Sequence, residues 1–309
     1  MHESIQVKNI TKTYDKVIAL NSINFEVEKG ELFGLIGPDG AGKTTLLRIL
    51  TSLLVPDSGE AFMNGYHVVK DYKTIRNIAG YMPGRFSLYQ DLTVEENLEF
   101  FATTFGTTIS ENYDLIKDIY IQIEPFKTRL AGRLSGGMKQ KLALSCALIH
   151  KPEILVLDEP TTGVDAVSRK EFWEMLIRLK NQGITIIVST PYMDEAGMCD
   201  RVALMQKGDI LQIDTPEDIA GQFAKKVFAV KAENVYNLLR DIQAFEHTHS
   251  VYPFGEYLHY ISKTTSNIKE ELSNYLDSKN HKSVKIMTVK PDIEDCFMEL
   301  MTKTVNNGE

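Results

Sequence analysis

The sequence has few cysteines, no long apolar stretch and no excess of positive charge. Its three cysteines, Cys146, Cys199 and Cys296, are an odd number and lie far apart, which favours reduced thiols over a disulfide framework. No apolar run approaches the ~18–20 residues that a membrane-spanning helix needs, and residues 1–9 lack the apolar core of a signal peptide. With 34 Lys and Arg against 42 Asp and Glu, the chain lacks the basic stripe that nucleic acid requires. These absences predict a soluble cytosolic protein that does not bind nucleic acid.

Apolar periodicity divides the chain into two parts. In residues 1–220, continuous apolar runs at 31–37, 154–158 and 184–189 favour buried strands of a parallel sheet. Amphipathic segments lie between them, and one begins at Thr93 and Glu96, which have the spacing of a capping box. This alternation predicts an α/β domain over residues 1–220.

Residues 221–309 follow a different pattern. Strand-like runs at 228–232, 251–262 and 284–289 alternate with helical stretches near 234–244 and 267–277, and a final helix follows. Counting two strands in the middle run, the order is β-α-β-β-α-β. We therefore expect a small α+β ferredoxin-like domain over residues 221–309.

A glycine-rich loop follows the first buried strand. It matches G-x-x-x-x-G-K-[ST] at every fixed position and precedes a helical run, which is the context the motif requires. The residues assigned to nucleotide binding here are Gly37, Pro38, Asp39, Gly40, Ala41, Gly42, Lys43, Thr44 and Thr45. Loop N–H groups and a helix N-terminus bind phosphate, Lys43 would reach the β- and γ-phosphates, and Thr44 would bind Mg²⁺. The alternative is a glycine-rich turn that matches by chance.

Two adjacent carboxylates end the second buried strand. Asp158 is expected to hold Mg²⁺, and Glu159 is expected to be the catalytic group that polarises an attacking water. By themselves, two such carboxylates could form a solvated turn. Their pairing with the phosphate loop favours a site that binds and hydrolyses a nucleoside triphosphate, with ATP and Mg²⁺ as its cofactors.

One further motif identifies a family. Residues 134–140, Leu-Ser-Gly-Gly-Met-Lys-Gln, match the signature sequence of ABC ATPases, and the turn Gly163-Val164-Asp165 follows in family order. Residues 1–220 thus resemble an ABC transporter ATP-binding subunit. The resemblance implies a P-loop NTPase domain with a mixed sheet core, an antiparallel β subdomain and a helical subdomain at about residues 84–150.

The resemblance also implies how ATP is bound. In this family two ATPase subunits pair head to tail, and each ATP lies between the phosphate loop of one and the signature of the other. Ser135, Gly136 and Gly137 would supply that second contact, and Tyr14 would stack on adenine or, alternatively, pack on the surface. Asp165 matches the subunit-contact turn, and it could also cap a helix.

Two positions depart from the family pattern. Gly84 stands where the family has a glutamine that senses the γ-phosphate, and Pro191 stands where it has a histidine. Proline offers neither a side-chain donor nor a backbone N–H. We therefore expect this subunit to bind ATP but to hydrolyse it slowly. A heterodimer with a second ATP-binding subunit is favoured over a homodimer.

The C-terminal sequence favours an exporter. Residues 290–297 are similar to the tail of type-2 ABC exporter ATPases, and residues 85–89 lie where the family docks on a membrane subunit. Alternatively, the aromatic residues of this loop would cover the helical subdomain. The resemblance implies transmembrane permease subunits as partners and a peripheral location on the cytoplasmic face of the inner (cell) membrane. One alternative is a regulatory ATP-binding switch with little turnover. A soluble ABC ATPase acting on DNA or ribosomes fits less well, because such relatives carry coiled coils or two cassettes.

Overall fold

The computed structural model describes residues 3–85, 87–264 and 267–306, with side chains described as far as residue 301. Phe86, in the expected docking loop, lies outside the described residues. The chain divides into two compact units, residues 1–216 and 217–309. The sequence placed the division after residue 220. None of the helices in the described parts of the chain combines the length and apolar character needed to cross a bilayer.

The first unit contains two sheets. Its strands are β1 (Glu3–Tyr14), β2 (Val17–Glu28), β3 (Leu32–Ile36), β4 (Ser58–Met63), β5 (Tyr66–His67), β6 (Ala79–Met82), β7 (Ile154–Asp158), β8 (Thr185–Thr190), β9 (Arg201–Gln206) and β10 (Asp209–Asp214). The central sheet has the order β10-β9-β3-β8-β7-β6, and only the edge strand β10 pairs antiparallel. The other sheet is antiparallel, with the order β2-β1-β4-β5. The predicted mixed core and antiparallel subdomain are confirmed.

The three apolar runs of the sequence are the middle strands of the central sheet. Every residue of β3, β7 and β8 is buried, which explains why their apolar residues do not alternate with polar ones. Parallel strands end at the same edge of a sheet, so the loops after β3, β7 and β8 meet there. This edge positions the candidate site.

The helices of the first unit are α1 (Lys43–Leu50), α2 (Tyr72–Ile78), α3 (Val94–Thr104), α4 (Ile109–Tyr120), α5 (Gly136–Leu148) and α6 (Ala166–Asn181), with short 3₁₀ turns at Glu124–Phe126, Ala131–Arg133 and Met193–Met198. Helix α7 (Pro216–Gly221) begins at the last residue of the first unit, and its other residues belong to the second. Helices α3, α4 and α5 form the helical subdomain. The capping box at α3 is confirmed, because the side chain of Thr93 accepts from Glu96 N and that of Glu96 accepts from Thr93 N. A second capping box, between Thr108 and Glu111, starts α4.

The second unit has the predicted β-α-β-β-α-β order. Its elements are β11 (Val227–Lys231), α8 (Val235–Gln243), β12 (Thr248–Phe254), β13 (Tyr257–Ser262), α9 (Ile268–Ser278), β14 (Lys285–Val289) and α10 (Ile293–Asn306). The antiparallel sheet has the order β12-β13-β11-β14. A core of its own, which includes Val230, Leu258 and Leu272, supports this sheet. The expectation of a small α+β ferredoxin-like domain is confirmed.

Candidate nucleotide-binding site

The glycine-rich loop connects the end of β3 to the start of α1, and close packing requires glycine at two of its positions. A Cβ on Gly37 would lie 2.2 Å from the carbonyl oxygen of Met205. Gly42 has a φ of +104°, and a Cβ there would lie 2.4 Å from the carbonyl oxygen of Ala19. The loop therefore passes too close to neighbouring backbone for a side chain at either position.

Lys43 extends across this loop. Its Nζ donates to the carbonyl oxygens of Gly37 at 2.7 Å and Pro38 at 3.0 Å. The same ammonium lies 3.3 Å from a carboxylate oxygen of Glu159, and the lysine is only 3% exposed. The loop therefore holds a buried positive charge next to the carboxylate that sequence reasoning assigned to water activation.

Thr44 and Asp158 meet although they are far apart in the sequence. The Thr44 hydroxyl donates to Oδ1 of Asp158 at 3.0 Å. Asp158 is 3% exposed, and the same Oδ1 accepts from the hydroxyl of Ser189 at 2.8 Å. A hydroxyl and a carboxylate this close are hard oxygen ligands of the kind Mg²⁺ takes, so the residues present fit the metal expected from the sequence.

Glu159 is held in an uncommon backbone conformation. Its φ is +48°, a region that costs a non-glycine residue about 1–2 kcal/mol. Its N–H donates to both the carbonyl oxygen and the hydroxyl of Ser189, at 3.1 and 3.0 Å. Ser189 thus fixes both carboxylate residues, and sequence reasoning missed it. The available signal was that the apolar run at 184–189 ends in the polar residue Ser189.

The structure gathers most of the predicted nucleotide residues in one cleft of about 340 Å³. Its walls combine the phosphate loop with aromatic and acidic side chains. The residues assigned from the sequence that line it are Tyr14, Asp39, Gly40, Ala41, Gly42, Lys43, Thr44, Thr45 and Glu159. Tyr14 is 45% exposed, and Lys12 Nζ lies 5.8 Å from its ring centroid. The ammonium of Lys12 therefore lies over one face of the Tyr14 ring.

The signature residues do not line this cleft. Ser135 is the N-cap of α5 and accepts from Met138 N at 3.4 Å. Ser135 and Gly136 are both exposed, so the N-terminus of α5 faces outward from the subunit. Asp165 caps α6 by accepting from the backbone of Val167 and Ser168. Those hydrogen bonds, of which the one from Ser168 has the largest effect, hold the pKa of Asp165 below its usual range. Asp165 therefore has the helix-capping role that the sequence allowed.

The two departures from the family pattern both adjoin the site. A Cβ built on Gly84 would lie 3.0 Å from the carbonyl oxygen and 3.6 Å from Oδ2 of Asp158. A longer side chain at this position would therefore lie next to Asp158, the carboxylate expected to hold Mg²⁺. Pro191 directly follows Thr190, whose carbonyl oxygen accepts from the N–H of Gly37 at 3.3 Å. Proline at this position brings no donor to the phosphate loop beside it.

A buried carboxylate behind the site was not predicted. Glu195 is 3% exposed, and its two oxygens accept from the hydroxyls of Thr161 at 2.7 Å and Thr190 at 2.5 Å. The guanidinium of Arg169 on α6 lies 4.0 Å away. Glu195 therefore ties the loop after Glu159 to the end of β8. No local sequence pattern reports such a link.

Known proteins resemble most of the chain. Residues 20–162 match the family described as ABC transporter. A Nod factor export ATP-binding protein I from Rhizobium sp. (strain N33) is 32% identical over 304 residues, which cover 96% of both chains. The probable multidrug ABC transporter ATP-binding protein YbhF of Escherichia coli (strain K12) is 40% identical over 223 residues. These residues cover 71% of this chain and only 38% of the relative.

Solved structures agree with the sequence comparisons. An ATP-binding subunit of an ABC transporter superposes with a TM-score of 0.65 at 29% identity, covering 71% of this chain and 92% of the other. A dimeric ATP-binding cassette in a post-hydrolysis state bound to ADP and Pi gives 0.62 at 26% identity, covering 68% and 98%. The predicted family and fold are confirmed. The chain belongs to the ABC transporter family, and its first unit is the family's ATP-binding, ATPase domain.

Proposed function

We propose that this chain is the ATP-binding subunit that powers export of a substrate by a membrane-embedded ABC transporter. The observation that carries the proposal is the convergence of Lys43, Thr44, Asp158 and Glu159 at one edge of the central sheet. The names of the relatives support the direction of transport, because they refer to multidrug transport, Nod factor export and linearmycin resistance. ATP binding drives pairing with a second ATP-binding subunit, and hydrolysis resets it.

Each residue of the cleft has a defined task in this proposal. The loop N–H groups and Lys43 hold the β- and γ-phosphates, and Tyr14 stacks on the adenine. Thr44 and Asp158 would hold Mg²⁺, which neutralises charge that develops on the transferred phosphoryl group. Glu159 accepts a hydrogen bond from the attacking water and turns it towards the γ-phosphate. Its backbone, fixed by Ser189, keeps the carboxylate at the phosphate end of the cleft.

We further propose that this subunit's own site hydrolyses ATP slowly. Gly84 provides no side chain towards Asp158, and Pro191 provides no donor next to the phosphate loop. Losing one donor positioned for the transition state commonly costs ~10²–10³ in rate, and a second loss adds less. Nucleotide binding is retained because it depends on the loop backbone, Lys43 and Thr44.

The signature supports a paired arrangement. Because Ser135, Gly136 and Gly137 lie outside the cleft, they are available to the phosphates of an ATP held by another subunit. With a weak site of its own and an intact signature, the chain would complete the competent site of a different partner. A heterodimer is therefore favoured over a homodimer.

An apolar groove in the first unit supports a membrane partner. It measures about 420 Å³ and lies where α3, α5 and β6 meet, with Met82, Leu88, Phe101 and Phe105 among its lining residues. We propose that a cytosolic helix of a transmembrane permease subunit docks here. The chain would then be peripheral on the cytoplasmic face of the inner (cell) membrane.

The weak-site proposal is tested with the purified chain and its Pro191→His variant. We expect ATPase activity about tenfold or more above wild type, because the imidazole restores a donor to the γ-phosphate. Pro191→Ala is the matched control, since it removes the ring without adding an imidazole, and should stay at the wild-type rate. Equal rates for wild type and Pro191→His would contradict the proposal.

The alternative is a regulatory switch that binds ATP with little turnover, and the substitutions at residues 84 and 191 favour it. Glu159→Gln in the purified chain, where any turnover comes from its own site, separates the two functions. Slower turnover supports an ATPase that drives transport, whereas unchanged turnover supports the switch. A complex containing two copies of this chain and no other ATP-binding subunit would exclude the heterodimer.

A further inference from the structure

One serine hydroxyl lies between the two strands that meet at the candidate metal site. Ser189 of β8 is the partner of Asp158 in the parallel pairing of β8 with β7. Its side chain is fully buried, so water does not compete for its hydrogen bonds. The hydroxyl is therefore held in place by the sheet itself.

The hydrogen bonds of Ser189 determine where its proton points. Its Oγ lies 3.0 Å from the backbone nitrogen of Glu159 and 2.8 Å from Oδ1 of Asp158. A backbone N–H can only donate, and an ionised carboxylate can only accept. The single proton of the hydroxyl therefore goes to Asp158, and the N–H of Glu159 occupies the other side of the oxygen.

Asp158 receives two hydroxyl donors on the same oxygen, and the two donors differ in kind. Thr44 donates to Oδ1 at 3.0 Å, but its own oxygen is an expected ligand of Mg²⁺. Ser189 does not line the nucleotide cleft. Its hydroxyl can therefore orient the carboxylate of Asp158 without binding the metal or the nucleotide.

The orientation of this carboxylate matters because Mg²⁺ demands near-octahedral geometry, with ligands at about 2.0–2.1 Å. Carboxylates that hold a metal are commonly held in turn by a hydrogen bond from an outer residue. Loss of that outer partner typically lowers metal affinity about 10–100-fold. A serine that only satisfied buried polar groups would instead affect stability or nucleotide binding to the same extent with and without metal.

We propose that Ser189 is a positioning residue for Mg²⁺. Its hydroxyl orients the carboxylate of Asp158 and thereby sets how tightly the site holds the metal together with a nucleotide. The inference rests on the proposed ATP-binding function, because the metal is expected to bind with the nucleotide phosphates. It assigns part of the metal affinity to β8, which carries neither the phosphate loop nor the two adjacent carboxylates.

The test compares nucleotide affinity with and without the metal. AMP-PNP, an ATP analogue that resists hydrolysis, is titrated calorimetrically into the full chain in Mg²⁺ and, separately, in EDTA. Mg²⁺ should tighten binding to wild type, and the ratio of the two dissociation constants measures this gain. In Ser189→Ala the gain should fall about tenfold, while the dissociation constant in EDTA stays unchanged. Ser189→Thr keeps the hydroxyl and should retain most of the gain.

A matched control removes a buried serine hydroxyl elsewhere in the first unit. Ser145 is also fully buried, and its hydroxyl donates to the carbonyl oxygen of Lys141 within α5 at 2.8 Å. Ser145→Ala should therefore keep the wild-type gain. A loss of gain in this control equal to that in Ser189→Ala would show a general effect of lost hydroxyls and overturn the proposal.

Three further results would overturn the role of Ser189 and leave the proposed function intact. They are an equal gain in wild type and Ser189→Ala, a loss of affinity in Ser189→Ala that is the same in Mg²⁺ and in EDTA, and a loss of gain in Ser189→Thr as large as in Ser189→Ala. A different result would reject both proposals. In that case wild type fails to bind AMP-PNP, or binds it no more tightly in Mg²⁺ than in EDTA.

Discussion

The link made by Glu195 leads to a measurable stability prediction. Thr161 and Glu195 are 1% and 3% exposed, and the hydroxyl of one donates to the carboxylate of the other at 2.7 Å. A hydrogen bond to a charged group contributes about 1.5–3 kcal/mol, and its loss leaves a buried acceptor unpaired. Thr161→Val keeps the shape and removes the donor. We expect it to lower the free energy of unfolding by about 2 kcal/mol.

Two further variants separate this hydrogen bond from packing. Thr161→Ser keeps the donor and deletes a methyl group, so it should lower the free energy of unfolding by only about 1 kcal/mol. Glu195→Gln replaces the charged acceptor by a neutral one. In the Glu195→Gln background, Thr161→Val should lower the free energy of unfolding by about 1 kcal/mol, because a neutral hydrogen bond contributes less than one to a charged group. The double-mutant cycle therefore predicts a coupling of about 1 kcal/mol.

The assay is urea unfolding followed by tryptophan fluorescence. Trp173 is the one tryptophan of the sequence, and it is a buried residue of α6 in the first unit. Its fluorescence therefore reports the unfolding of that unit alone. If Thr161→Val costs no more than Thr161→Ser, or costs the same in both backgrounds, the carboxylate does not hold these two loops together.

Other predictions concern the helical subdomain and the thiols. Thr93→Ala removes the capping box of α3 and should cost about 1 kcal/mol in the same unfolding assay; Thr93→Ser, the control, should cost less than half of that. Burial raises the pKa of all three cysteine thiols, that of Cys296 to about 12, so they stay protonated at pH 8. Ellman's reagent should label none of them rapidly in the native chain and all three in denaturant; rapid native labelling of any one would contradict their burial.

Much of the fold followed from local patterns. The runs at 31–37, 154–158 and 184–189 predicted β3, β7 and β8 because strands buried on both faces cannot alternate polar and apolar residues. The capping box at Thr93 was readable because its two hydrogen bonds join residues three apart. The second capping box, at Thr108, has the same signal and was overlooked. The order of strands in the sheet could not be predicted, because apolar periodicity does not show which strands are neighbours.

The sequence by itself determined the phosphate loop, the two carboxylates at the end of β7 and the signature, because each is a short contiguous motif whose chemistry depends on local backbone. Only the tertiary structure decided that β8 lies between β3 and β7. That order brings Ser189 onto Asp158 and Glu159, and Glu195 onto Thr161. These hydrogen bonds join residues about thirty positions apart, so they depend on strand packing that no local pattern encodes.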